Sequence, residues 1–360
     1  MIRSMATVPG RIKNGVVFLY EHVSGGGLAG SDLPGSWAAE GSAMRRALGR
    51  DLAAVAGVRV VMALDARLDD EPGPWATVRV GPGESAAVVA RLAAEADHTA
   101  TVAPEAGGIL RDLAEAVDRA GGRSLGSSPA AIGRAADKLA LAGHFETRGI
   151  PSPASRPVRP ALGLPRDATY PAVLKPIDGA GCLDTFLVES PDDPAATAFG
   201  AELGVLQPFV PGEARGATFL VRRGGRAVLV GVARQEIARS GARLAYRGGA
   251  LLDEPLAADH PARLAVGSIE GLAGLVGVDY VEGPRATVIE INPRPTTSCV
   301  AIVAALGPGR LASAWLASSD RARDGLPEPD GPWPLARPAS PLRFRADGAV
   351  EAGPARPARP

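Results

Sequence analysis

The sequence is poor in the residues that mark several large classes of protein. Cysteine occurs only at Cys182 and Cys299, too few for a disulfide scaffold or a cysteine-built metal site. No apolar run approaches the roughly 18–20 residues needed to span a bilayer, and no signal-type apolar core follows Arg3, Arg11 and Lys13. Charge of one sign is missing as well: 39 basic residues face 39 acidic ones. That balance removes the electrostatic footprint of a protein that binds nucleic acid or an anionic membrane. The expectation is a cytoplasmic globular protein acting on small molecules, and a homodimer is compatible with it.

Lysine, asparagine and glutamine are scarcer still. The lysines are Lys13, Lys138 and Lys175, the asparagines Asn14 and Asn292, the glutamines Gln207 and Gln235. Where arginine serves almost everywhere, a remaining lysine marks a place that needs a compact, rotatable ammonium instead of a planar fork. Chance survival is the alternative for any one of them. The argument gains weight because several rare residues fall into one constellation.

What is present is length and regular patterning. The 360 residues suffice for two or three domains with their own cores. A mobile leader is expected at 1–14. Strands at Val16–Tyr20, Val58–Leu64 and Thr99–Ala103 alternate with helices at 37–56, 84–96 and 109–120, which predicts a parallel α/β domain over 15–125. A helix over Ser128–Ala142 starts at Pro129, and a Pro/Arg-rich linker fills 151–167. Strands follow at Ala172–Lys175, Thr185–Val188, Val205–Phe209, Ala217–Arg222 and Ala227–Val232. A helix over 258–276 leads into strands at Val278–Val281 and Ala286–Ile291, and a last helix covers 299–317. A second domain therefore spans 126–320, divided into 151–215 and 216–320. The Pro/Arg-rich tail, 321–360, contains a short hairpin at 340–350.

The chemistry converges on the strand pair near the end of that domain. Glu290 and Asn292 are two apart in a strand and share a face. A turn centred on Gly283–Arg285 puts Asp279 opposite Glu290. Two carboxylates and an amide oxygen then meet, a hard oxygen set suited to Mg²⁺, with Mn²⁺ as the alternative. Val288, Ile289 and Ile291 make the strand apolar, and inward acids there are costly without a cation. Arg294, after Pro293, emerges at the rim, where a guanidinium can hold charge developed in phosphoryl transfer; a plain surface arginine is the alternative. Lys175 ends a buried strand before Asp178-Gly179-Ala180-Gly181, a setting suited to phosphate, although no Gly-Lys-Ser/Thr ending makes it a Walker loop.

In order, these pieces are Asp137-Lys138, Gly149-Ile150-Pro151, Leu174-Lys175-Pro176, Gln207-Pro208-Phe209-Val210-Pro211-Gly212-Glu213, Gly277-Val278-Asp279 and Glu290-Ile291-Asn292-Pro293-Arg294. That order and spacing resemble the ATP-grasp superfamily over about residues 15–320. The resemblance implies an α/β and α+β chain: an ATP-grasp fold behind a Rossmann-like pre-ATP-grasp domain. It implies that Lys138 and Lys175 contact ATP phosphates and that Gln207 and Val210 sit at the adenine hinge. Asp279, Glu290 and Asn292 would hold Mg²⁺, and Arg294 would face the transferred group. Glu213 is one residue out of register with the usual ribose-binding acid, and many members have an acid where Gln207 stands.

The implied reaction activates a carboxylate as an acyl phosphate and passes it to an amine, releasing ADP and phosphate. The strand–Glu21–His22–Val23–Ser24–Gly25–Gly26–Gly27 opening, the Ala103-Pro104-Glu105 loop and Gln235 with Tyr246-Arg247-Gly248-Gly249 are similar to tyramine–glutamate ligases of one-carbon cofactor biosynthesis. Another amino-acid or peptide ligase of the superfamily, or a nucleotide-binding protein without catalysis, stays open on the residues alone.

Overall fold

The computed structural model describes residues 15–179, 181–224, 226–319 and 342–352. The expected leader at 1–14 lies outside them, as does the tail apart from 342–352.

The chain begins with β1 (Gly15–Glu21), α1 (Gly35–Ala53), β2 (Val58–Asp65), β3 (Trp75–Val80), α2 (Ser85–Glu95), β4 (His98–Val102) and α3 (Ile109–Arg119). The four strands form one parallel sheet in the order β3-β2-β1-β4. β1 is central and its Val17–Tyr20 run is buried, as a parallel strand covered on both faces requires. β3 has no counterpart in the sequence reading. Thr77 and Arg79 break its apolar run, which suits a half-exposed edge strand.

The second part comprises α4 (Pro129–Ala136), α5 (Lys138–Thr147), β5 (Arg156–Val158), β6 (Ala172–Pro176), β7 (Phe186–Val188), β8 (Gly204–Pro208), β9 (Glu213–Val221), β10 (Ala227–Ser240) and β11 (Arg243–Leu252). It continues through α6 (Pro261–Ser268), β12 (Gly274–Glu282), β13 (Thr287–Asn292), α7 (Cys299–Leu306), α8 (Arg310–Ser318), β14 (Leu342–Arg345) and β15 (Val350–Ala352). Its strands pair antiparallel in the order β13-β12-β9-β10-β11-β7-β6-β8-β5, with the β14–β15 hairpin on β11. The ladder is almost interrupted in the middle: β11 meets β7 at the single pair Arg243↔Phe186.

Three expected helices are shorter than the apolar periodicity predicts. The one over Ser128–Ala142 breaks at Asp137, whose backbone is extended and whose carboxylate caps α5. The one over 258–276 stops at Ser268, because Gly271 and Gly274 take φ of +90° and +71°; a Cβ on Gly274 would lie 2.0 Å from the Leu125 carbonyl oxygen. The one over 299–317 breaks at Gly307-Pro308-Gly309, the two glycines having φ of +83° and +75°. Beyond Val232, β10 and β11 form a long hairpin that the sequence reading lacks, since Arg234–Arg247 is polar on its outer face.

One apolar core joins the two parts: Met44, Leu48 and Leu52 of α1 pack with Val300, Ile302, Leu311 and Trp315 of α7 and α8. Asp51 of α1 fixes the contact by accepting from Gly309 N and Ala312 N at 2.5 and 2.7 Å, at the start of α8. A second core lies between the β9–β13 half of the sheet and α4–α6, and a third supports β5–β8. No single described helix is long and apolar enough to cross a membrane.

Candidate active site

A cavity of about 610 Å³ lies between the β6–β8 wall and the β10–β13 wall. Lys138, Lys175, Gln207, Val210, Glu213, Asp279 and Glu290 all line it. Seven of the nine residues singled out in the sequence therefore share one space. Asn292 and Arg294 do not belong to its described lining and adjoin it through their partners.

The acidic end is built on β12 and β13. Asp279 and Glu290 are register partners, so their side chains stand on the same face. Asn292 Nδ2 donates to Asp279 Oδ2 at 3.0 Å, and Gln235 Nε2, from β10, donates to Asp279 Oδ1 at 2.8 Å. Burial, and then the Glu290 charge opposite, push the Asp279 carboxyl up to about 7. For Glu290 burial acts in the same direction, but the Lys138 and Lys175 ammoniums outweigh it and hold the carboxyl below its ordinary value.

The basic end faces it. Lys138, the first residue of α5, places Nζ 3.3 Å from Glu290 Oε2 and donates to the Gly179 carbonyl oxygen at 2.6 Å. Lys175 is the next-to-last residue of β6 and is buried. Desolvation lowers its ammonium to about 8, against the pull of Glu290 and with the help of the Lys138 charge. Two cations and two carboxylates thus meet in a space poorly reached by water, where each charge counts for more than it would at the surface.

The remaining predicted residues have definite partners. Gln207 is buried in β8 and donates from Nε2 to Ser155 Oγ at 2.7 Å. Next to it, Phe209 N–H is committed to the Pro171 carbonyl oxygen at 2.9 Å, while Val210 stays on the cavity wall. Glu213 accepts from Arg215 Nε at 2.7 Å, and Arg215 also reaches Glu254 at 2.8 Å. Arg294 is held by Glu105 of the N-terminal domain through two N–H···O bonds of 3.0 and 3.1 Å. Gln235 and Glu105, named in the sequence among the features similar to tyramine–glutamate ligases, have partners in the site: Gln235 bonds to Asp279 and Glu105 to Arg294. The scarcity of glutamine was the signal that Gln235 belonged with the rare residues of the site. Nothing in the sequence marked the Gly179 carbonyl as the Lys138 partner.

The donors themselves suit a divalent ion. Two facing carboxylates and a neighbouring amide form an oxygen-rich set, and Asp279, raised toward protonation first by burial and then by the Glu290 charge, needs a further cation nearby to stay ionised at neutral pH. A hard divalent cation matches that need.

A model of the ATP-grasp domain matches residues 135–298, and one of the pre-ATP-grasp domain matches residues 58–132. The chain thus carries an ATP-grasp domain preceded by a pre-ATP-grasp domain. Among curated proteins it is similar to the tyramine–L-glutamate ligase of Methanocaldococcus fervens, at 29% identity over 209 residues. That alignment takes in 56% of this chain and 60% of the relative's length. Among solved structures it is similar to an ATP-grasp superfamily protein from Archaeoglobus fulgidus, with a TM-score of 0.64 and 23% identity over 84% of this chain and 87% of that one. D-alanine–D-alanine ligase from Bacillus anthracis matches with a TM-score of 0.57 and 14% identity, covering 85% and 97% of the two chains. At these identities the structural likeness speaks for the ATP-grasp fold, in agreement with the expected α/β and α+β architecture.

Proposed function

We propose that this ATP-grasp protein is an ATP-dependent ligase that joins a carboxylate to an amine. The observation that carries the reading is the meeting of Asp279 and Glu290 with Lys138 and Lys175 at one end of the 610 Å³ cavity. In this reading ATP lies along the cavity, its base near Gln207 and Val210 and its phosphates toward the lysines. Asp279, Glu290 and Asn292 would hold Mg²⁺, or Mn²⁺ in its place, and the ion would supply Lewis-acid charge stabilisation there. Lys138 and Lys175 neutralise those oxygens as the substrate carboxylate attacks the γ-phosphorus and ADP leaves. Arg294 faces the transferred group. The amine then attacks the acyl carbon, phosphate departs, and the amine's proton goes to solvent or to a site carboxylate. The chain's part is to position, neutralise and exclude water.

The finer reading is formation of a γ-glutamyl amide with tyramine or a related amine, in the cytoplasm, as a step of one-carbon cofactor biosynthesis. The likeness to the Methanocaldococcus tyramine–L-glutamate ligase supports that pair of substrates. Another amino-acid ligase activity is the second reading, favoured by the likeness to an L-amino acid ligase from Bacillus licheniformis. A screen of ADP release over acids and amines, with mass spectrometry of the product, separates the two. Glutamate with tyramine is the expected productive pair. Release with other amino-acid pairs and none with tyramine would remove the finer reading; no release with any pair would remove the ligase. Glu290→Gln should lower turnover at least about a hundredfold while the fold is kept. Full activity in that variant would refute the metal assignment.

A further inference from the structure

The loop after β4 touches the phosphate end of the site twice, from the other domain. Its Glu105 is 4% exposed and grips Arg294 Nε and Nη2 side-on. Two residues on, Gly107 N donates to Asp178 Oδ2 at 2.8 Å, at the start of the small-residue segment that also supplies the Gly179 carbonyl to Lys138. The loop is preformed. Gly107 and Gly108 take φ of +61° and +75°, Gly108 N donates to the Glu105 carbonyl oxygen, and Leu110 N donates to that of Pro104. Arg294 is equally constrained: prolines flank it and its N–H closes on the Asn292 carbonyl oxygen at 2.8 Å. Its guanidinium therefore has a fixed place relative to Asp279, Glu290 and Asn292.

We propose that Glu105 is a positioning residue that holds Arg294 in register with the transferred phosphoryl group. The proposal rests on the ATP-grasp reading of Arg294 given above. A guanidinium has five N–H donors. Glu105 takes one from Nε and one from Nη2, and the Pro295 carbonyl oxygen takes one from Nη1 at 3.2 Å. One N–H on each terminal nitrogen is left for an anion. A carboxylate gripping the rear of the fork fixes its plane and leaves its front available, which is how a planar donor gains directional strength. Burial opposes the charge of Arg294, and Glu105 outweighs that and keeps it a cation. Because the same loop holds Asp178, it aligns both sides of the phosphate end.

The test needs no acid or amine substrate. Affinities for ADP and for a non-hydrolysable ATP analogue, each with Mg²⁺, are measured by calorimetry for the wild type, Glu105→Gln, Arg294→Gln and the double variant. The wild type should prefer the triphosphate. Each single variant should lose about tenfold of that preference, and the double variant no more than Arg294→Gln alone, since the two residues act as one unit. ADP affinity in Glu105→Gln should stay within about twofold of wild type, which a merely structural defect would not respect. Glu105→Asp, which keeps the charge, should retain part of the preference, and it carries the same cycle should Glu105→Gln not fold. A wild-type preference in Glu105→Gln, or losses that multiply in the double variant, overturns the proposal. Failure of the wild type to bind either nucleotide overturns it together with the nucleotide reading. Nucleotide binding with the expected cycle, but no ADP from any acid–amine pair, refutes the ligase alone.

Discussion

Lys175 shows how much a single position can reveal. Its scarcity in an arginine-rich chain drew attention to it, and the end of a buried strand explained why an ammonium there would be useful. The sequence did not show that it lies across a cavity from Glu290 with Lys138 beside it, because that depends on β6 and β13 meeting across the fold. Burial lowers the Lys175 ammonium to about 8, so in the free protein it loses its charge as pH rises through about 8. Bound phosphate favours the charged form and moves that loss higher. kcat/KM for ATP, which reports the free enzyme, should therefore fall above pH 8, while kcat, which reports the complex, holds to higher pH. In Lys175→Arg the alkaline limb should vanish, because a guanidinium stays charged. Coincident limbs for kcat and kcat/KM, or a limb unchanged in the arginine variant, would show that another group titrates.

At the level of elements, the strand pair carrying the acids was legible because its turn is short and its alternation clear. The β1, β2 and β4 strands were legible from their apolar runs. Breaks inside apolar segments were not, since the periodicity of α4 continues into α5 and only the backbone at Asp137 interrupts it. That break matters to the site: it makes Lys138 the first residue of a helix and so directs it at Gly179 and Glu290. Asp137 Oδ1 accepts from Leu139 N and Ala140 N at 2.9 and 3.0 Å. Asp137→Ala should cost about 1 kcal/mol of stability, read from denaturant unfolding, and raise KM for ATP more than it lowers kcat. An unchanged KM would mean that the cap serves only the helix. The long β10–β11 hairpin was missed for a different reason. Its outward side chains are polar, and the partners of β11, β7 and β14, are distant in sequence.

For the molecule as a whole, the core shared by α1, α7 and α8 makes the N-terminal domain a structural support of the ATP-grasp domain. The other junction is weak by comparison. Around the Arg243↔Phe186 pair, Leu187 N donates to the Ala242 carbonyl oxygen and Leu244 N to that of Thr185, each at 2.8 Å, and the Arg243 guanidinium stacks over the Phe186 ring at 4.8 Å. Opening free energies follow the density of such contacts. Amides of Leu187 and Leu244 should therefore exchange with solvent faster than those of Val276 and Phe219 in the central ladder. Equal protection would show that both halves of the sheet open as one unit.

A seam of two backbone hydrogen bonds behaves mechanically as a pivot. Described ties across the phosphate end include Lys138 Nζ to the Gly179 carbonyl oxygen, Lys138 N to that of Ile177, and Gly107 N to Asp178, and phosphate oxygens would compete for the first of them. A nucleotide bound as proposed would take over that link between the jaws. Departure of ADP would return the link to the protein. In the proposed ligase the β6–β8 jaw would be free to swing while the carboxylates on β12 and β13 keep their register, so that filling and emptying the cavity would be mechanically separate from holding the acids in place.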